Sequence, residues 1–217
     1  MLDNILKNLT STDTALVAVS KTKPTEAIQK LYDQGQRIFG ENRAQEVTWK
    51  YEAMPKDIAW HLIGHLQTNK VKYIAPFIQL IHSIDSLRLL KEVNKQAKKN
   101  DRVIDVLLQF HIATEDSKYG LSFAEAKAIL ESDFYENAEH IRIVGVMGMA
   151  TFTDNEDQVR SEFKALRKIF DILKAEYFED NDDFKEISMG MSGDYKIAVE
   201  EGSTMVRIGS LLFGART

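Results

Sequence analysis

Eight short apolar runs alternate along this 217-residue chain with longer segments of helical period. The runs span residues 15–21, 37–40, 59–64, 80–84, 104–111, 141–149, 186–191 and 205–213. Most are rich in Val, Ile and Leu without polar alternation. That pattern marks strands covered on both faces, which is a parallel sheet with helices between its strands. Eight such units predict closure into a compact α/β fold, a (β/α)8 TIM barrel on the small side of the usual ~250 residues. A doubly wound open sheet is the alternative, but it usually has fewer strands at this length, and no Gly-x-Gly-x-x-Gly follows the first run. Helix starts are marked by Pro24, Asn42, Ser86, Ser122 with Glu125, Thr153 with Glu156, and Ser192. Over 154–178, Val159, Phe163, Leu166, Phe170, Leu173 and Tyr177 recur at steps of four and three and form one apolar stripe. The three prolines and the lack of a Gly/Ser-rich linker predict one domain over 1–217, with the acidic segment 179–183 as a surface loop.

Composition removes several function classes. The chain is 44% hydrophobic and 28% charged, enough for one full core. Its formal charge is -5, with Lys and Arg dispersed, so it carries no electrostatic footprint for a nucleic-acid backbone. It has no cysteine, which removes disulfides, thiol nucleophiles and thiolate metal sites and suits a reducing compartment. No basic-then-apolar leader opens it, and no run of 18 uncharged apolar residues occurs. A cytoplasmic protein with no membrane or nucleic-acid partner is expected.

In such a barrel the site lies at the C-terminal ends of the strands. The first run delivers Lys21 there, on the same face as Val17 and Val19 and hence toward the interior. A buried ammonium loses solvation and needs a partner or a chemical use; alone, it reads as a strand-end lysine whose head reaches solvent. The seventh unit, Ser188-Met189-Gly190-Met191-Ser192-Gly193-Asp194, runs from strand to helix through small residues, with Ser192 as the expected N-cap. The eighth contains Gly209-Ser210, where a backbone can approach a ligand closely. The loops after strands seven and eight are where phosphate sites recur in this fold, although each turn alone also reads as structural. Arg207 lies on the interior face and needs an acceptor: a heteroaromatic ring nitrogen, a ligand acid, or one of the strand-end carboxylates Glu41 and Asp85. A lysine, a phosphate seat and a ring-nitrogen partner together describe pyridoxal 5'-phosphate held as a Schiff base.

Five segments then carry a family resemblance. They are Ala18-Val19-Ser20-Lys21-Thr22-Lys23-Pro24, Phe39-Gly40-Glu41-Asn42, the stretch from Trp60 to Lys70 beginning Trp60-His61-Leu62-Ile63-Gly64-His65, Ser188-Met189-Gly190-Met191-Ser192, and Arg207-Ile208-Gly209 on to Phe213-Gly214-Ala215-Arg216. In this order they resemble the pyridoxal phosphate homeostasis protein family, which is similar in fold to the N-terminal barrel of alanine racemase. The resemblance implies Lys21 as the Schiff-base lysine, Ser192, Gly209 and Ser210 around the phosphate, Arg207 near the pyridine nitrogen and Asn42 beside the cofactor. It departs at the start, where the family has a longer helix than the short segment preceding the first strand here.

The resemblance also implies a cofactor carrier without established catalytic activity, whose partners are pyridoxal phosphate and the apoenzymes that receive it; a monomer or weak dimer is expected. Two features favour that reading over an enzyme. An arginine at the ring nitrogen keeps the pyridine neutral and weakens it as an electron sink. The chain also ends directly after the eighth unit, without the second domain that completes the racemase site. The rivals are a racemase or lyase, taking its base from His82, His111 or Tyr119, and a class I aldolase using the same lysine on a sugar phosphate. His82 and His111 are placed at the ends of strands four and five, near a cofactor or as satisfied structural histidines. His61 and His65 have a zinc-pair spacing, but Leu62 stands where a metalloprotease helix carries its glutamate and the segment reads as strand, so no metal is expected.

Overall fold

The computed structural model describes residues 2–10, 12–114 and 119–214. Its eight strands are β1 (Ala15–Val19), β2 (Ile38–Glu41), β3 (Ala59–Leu62), β4 (Leu80–Ile84), β5 (Ile104–Gln109), β6 (Ile141–Met147), β7 (Glu186–Met191) and β8 (Met205–Ile208). They form a closed barrel in sequential order. All neighbours are parallel, and closure pairs Ala15 with Met205 and Val17 with Arg207. The helices are α1 (Leu2–Thr10), α2 (Thr25–Asp33), α3 (Ala44–Ala53), α4 (Val71–Ile74), α5 (Leu87–Lys99), α6 (Phe123–Leu130), α7 (Asp133–Glu136), α8 (Glu156–Tyr177), α9 (Tyr195–Glu200) and α10 (Ser210–Phe213).

Period-two geometry divides each strand between two cores. Val17, Leu80, Leu107, Val144, Met147 and Met205 meet inside the barrel. Alternate residues such as Leu16, Ala18, Phe39, Trp60 and Ile81 pack outward against the helices. The α8 stripe behaves as its spacing predicts: Val159, Phe163, Leu166, Phe170 and Leu173 are buried. Beneath it Phe184 stacks between Phe170 and Phe178, with centroids 4.9 and 4.1 Å away. At the start, the nine residues of α1 bury Leu2, Ile5 and Leu9, so even this short helix contributes a full apolar face.

Several sequence boundaries shift for local reasons. Ser86 caps α5 through the Leu89 amide, and Ser122 with Glu125 forms a complete capping box on α6. Asn155 rather than Thr153 caps α8, accepting from the Gln158 amide. Asn42 lies one residue before the α3 N-cap, which is Arg43. Ser192 is not the cap of α9; Asp194 holds that position, and its carboxylate accepts the Met191 amide at 2.5 Å. The eighth run is strand only through Ile208, and Ser210–Phe213 forms one helical turn.

Candidate functional site

At the C-terminal end of the barrel lies a cavity of about 460 Å3. Lys21, Asn42, Ser192, Arg207, Gly209 and Ser210 all line it, together with Val19, Lys23, Ile63, Met149, Phe152 and Met191. The six sequence candidates, drawn from the first, second, seventh and eighth units, therefore share one enclosure. Lys21 lies two residues beyond β1, in a turn, rather than on the strand itself. The turn is sharp, with Thr22 in the left-handed region at φ 65°. Lys23, the neighbouring lysine, donates to the Phe213 carbonyl at 3.1 Å and so ties this turn to α10. Ser192 accepts the Gly209 amide at 3.3 Å, which joins the seventh and eighth loops. Ala215 and Arg216, the end of the fifth resembling segment, lie outside the described residues.

Under the cavity a polar layer crosses the barrel. Arg207 is buried and donates through Nη1 to Ser188 Oγ at 2.6 Å and through Nη2 to the Gly148 carbonyl at 3.0 Å. Neither Glu41 nor Asp85 is its partner: Glu41 bonds Lys50 and Ser20, and Asp85 bonds His65. Ser188 Oγ also meets His82 Nδ1 at 2.9 Å, and His82 Nε2 meets His61 Nδ1 at 3.0 Å. Arginine only donates, so Ser188 Oγ accepts from it; among the described residues the one acceptor within reach of the Ser188 hydroxyl hydrogen is His82 Nδ1, and His82 then donates from Nε2 to His61. Burial suits this neutral chain, pushing His61 down to about 3 and His82 well below the usual imidazole range. His82 therefore sits within β4 as a structural histidine rather than at its end, and His111 lies exposed beyond β5.

The cavity wall carries unequal charge. Among the described residues that line it, Lys21, Lys23 and Arg207 are the cations and Asp194, whose pKa burial raises, is the carboxylate. Arg207 itself is pushed down by burial to about 10 and so stays charged at neutral pH. His61 and His65 do not converge on a common point: the first bonds His82 inside the barrel, the second bonds Asp85 at 3.1 Å and packs at a tilt against Tyr119. Among the described residues no group of three or more His, Asp or Glu could hold a metal ion, and no helix is long and apolar enough to cross a membrane. Sequence reading missed Ile63, Met149, Phe152 and Met191, because scattered apolar residues at strand ends give no signal apart from the core pattern. It missed Lys23 as a wall residue and took it only as a neighbour of Lys21.

A family model for the alanine racemase N-terminal domain matches residues 3–217. The pyridoxal phosphate homeostasis protein of Aquifex aeolicus is 42% identical over 202 residues, covering 93% of this chain and 86% of that one. The Homo sapiens protein of the same name is 37% identical, covering 97% and 79%. PipY of Synechococcus elongatus, solved without and with pyridoxal phosphate, is 32% identical and covers 99% of this chain and all of its own, with TM-scores of 0.89 and 0.85. An alanine racemase from Bartonella henselae shares the fold at a TM-score of 0.70 and 16% identity; this chain covers 57% of its length. The match to the family model over nearly every residue, and relatives of one name at this identity, place the chain in the pyridoxal phosphate homeostasis protein family, built on the barrel of the alanine racemase N-terminal domain.

Proposed function

We propose that the chain binds pyridoxal 5'-phosphate as a Schiff base on Lys21 and acts as its intracellular reservoir and carrier, passing it to dependent apoenzymes with little or no turnover of amino acids. The observation that carries this reading is the convergence of Lys21, Asn42, Ser192, Arg207, Gly209 and Ser210 on one cation-rich cavity. The names of the relatives and the cofactor-bound PipY support it.

The residues fit the group. A Cβ on Gly209 would stand 3.1 Å from the Val19 carbonyl oxygen and 3.3 Å from Val19 Cβ, so only glycine leaves this wall slim. Ser192 and Ser210 would hold the phosphate by their hydroxyls, beside the first two amides of α10; the next two, of Leu212 and Phe213, already donate to the Gly209 carbonyl. Lys21 and Lys23 add charge against the dianion. Arg207 offers only N–H donors, so a ring nitrogen facing it accepts and stays unprotonated. Bound pyridoxal phosphate supplies an electron sink, and an unprotonated ring is the weaker one. For the racemase rival, His82 has both nitrogens committed to His61 and Ser188. His111 and Tyr119 are not among the residues that line the cavity.

The test is made on the purified protein. It should show the visible absorbance of a Schiff base, and borohydride should fix the cofactor on Lys21 rather than Lys23. Lys21→Ala should lose the absorbance and stay folded. Pyridoxal should dialyse away where pyridoxal phosphate is retained, because the phosphate makes the charge-assisted bonds. In deuterated water, α-proton exchange of L-alanine should stay far below the roughly 1 to 1,000 per second of enzymes. Exchange at such rates, abolished by Lys21→Ala, would establish the racemase instead. A colourless protein trapped by borohydride only with a sugar phosphate would establish the aldolase.

A further inference from the structure

Lys50 is fully buried in the middle of α3, an unusual place for an ammonium group. Each of its three protons has an acceptor: the Ser20 carbonyl at 2.8 Å, Glu41 Oε1 at 2.7 Å and Glu46 Oε1 at 2.7 Å. The same carboxylates hold the Lys21 turn directly. Ser20 Oγ donates to Glu41 Oε1 at 2.5 Å, and the Thr22 amide donates to Glu46 Oε1 at 2.6 Å. Both residues flanking Lys21 are thus fixed by one cluster, on a turn whose Thr22 adopts a left-handed conformation that non-glycine residues seldom take unaided.

The cluster is poorly explained by stability. Burying a lysine and a glutamate costs several kcal/mol of desolvation per ion, and apolar residues of the same volume would often serve as well or better. Glu41 Oε2 is buried with no hydrogen-bond partner among the described residues, a further cost. Burial accordingly raises the Glu41 carboxyl to about 7 despite the lysine beside it. What the cluster secures is geometry, since it links α3 and β2 to the turn that leaves β1.

We propose that Lys50 is a positioning residue: acting through Ser20, Glu41 and Glu46, it fixes the turn so that the Lys21 amine is presented to the cavity in the geometry for covalent capture of an aldehyde ligand. This rests on the reading of Lys21 as the Schiff-base lysine. The capture step balances as amine plus aldehyde giving imine plus water.

The variant Lys50→Met, alone and combined with Glu41→Gln to avoid a stranded buried carboxylate, tests the proposal. Three measurements separate positioning from folding: the thermal melt, hydrogen exchange of the Thr22 amide without cofactor, and the rate at which added pyridoxal phosphate becomes borohydride-reducible on Lys21. The melt should remain cooperative while Thr22 exchange rises about tenfold, as for loss of one charge-assisted hydrogen bond. Capture on Lys21 should slow by about 10- to 100-fold, the scale of a misplacement near 1 Å. A folded variant with unchanged exchange and unchanged capture would overturn the proposal. Should both variants fail to fold, Glu46→Ala at the half-buried edge of the cluster replaces them under the same two criteria. If wild-type protein forms no adduct on Lys21, the carrier reading fails, while Thr22 exchange still reports whether Lys50 holds the turn.

Discussion

Ser188→Ala removes the hub of the polar layer beneath the cavity. Ser188 is fully buried and makes two bonds, accepting from Arg207 at 2.6 Å and donating to His82 at 2.9 Å. The first is charge-assisted and is worth about 1.5–3 kcal/mol, the second about 1 kcal/mol. Alanine leaves Arg207 Nη1 and His82 Nδ1 without these partners in a site with little access to water. A loss of about 2–4 kcal/mol follows, which for a chain of this size lowers Tm by roughly 5–15 °C. The arginine also loses one of its two fixed acceptors, so affinity for pyridoxal phosphate should fall with stability. Urea unfolding followed by circular dichroism gives the first quantity, and titration of the visible absorbance gives the second. Nitrogen chemical shifts provide an independent check on the hydrogen-bond order. Wild-type His61 and His82 should both be neutral and protonated on Nε2, with the His82 Nδ1 resonance moving in Ser188→Ala. A loss below about 0.5 kcal/mol, the level of an ordinary surface change, together with an unmoved His82 resonance, would refute the reasoning.

Acid should weaken the fold through His61. Its pKa of about 3 in the native state lies below the ordinary value of 6.5, so below pH 6.5 the unfolded chain takes up a proton that the native chain refuses. Stability drawn from this residue is complete above pH 6.5 and falls by about 2 kcal/mol on going to pH 5. Glu41, raised to about 7 from 4.5, works in the opposite direction and loses stability as pH rises through that window. The His61 contribution is therefore read as the difference in urea stability between wild type and His61→Asn at pH 7 and pH 5; equal slopes for the two proteins would rule it out. Gly64→Ala should displace Asn42 from the cavity wall, because a Cβ there would stand 2.5 Å from the Asn42 carbonyl oxygen and 2.8 Å from its Cα. A cost of about 1–3 kcal/mol is expected, with weaker retention of pyridoxal phosphate, and retention equal to wild type would remove Asn42 from the site.

The barrel was legible because parallel strands buried on both faces appear as apolar runs, and eight of them leave few other architectures. Runs were overextended where apolar residues continue past the strand. Leu211, Leu212 and Phe213 prolong the eighth run but belong to the turn of α10, and short apolar segments have no period to separate helix from strand. The assignment of Ser192 as an N-cap failed through competition: Asp194, two residues on, holds the cap position and its carboxylate takes the Met191 amide. Lys50 was invisible for another reason. Glu46 and Lys50 are an i,i+4 pair, which on a helix reads as a solvated surface couple. The available signal was its spacing from Val47 and Met54, both buried, which puts the lysine on the inward stripe of α3.

The layering of the barrel interior favours an anion at the proposed site. An apolar floor of Val17, Leu80, Leu107, Val144, Met147 and Met205 admits no counter-charge from below. Above it His61 and His82 stay neutral, and Arg207 finds a hydroxyl and a carbonyl, groups that satisfy its geometry without cancelling its charge. Among the described residues Asp194 is the one carboxylate on the cavity wall, and burial raises its pKa. A positive potential is therefore concentrated where the strands end, with Lys21 and Lys23 at its edge. A dianionic group entering the cavity would meet the cationic side chains of Lys21, Lys23 and Arg207, whereas a neutral aldehyde of the same shape gains only contact. Under the proposed reading, the seventh and eighth loops would set affinity, while the Lys21 turn, braced from outside the barrel by Lys50, would set covalent capture.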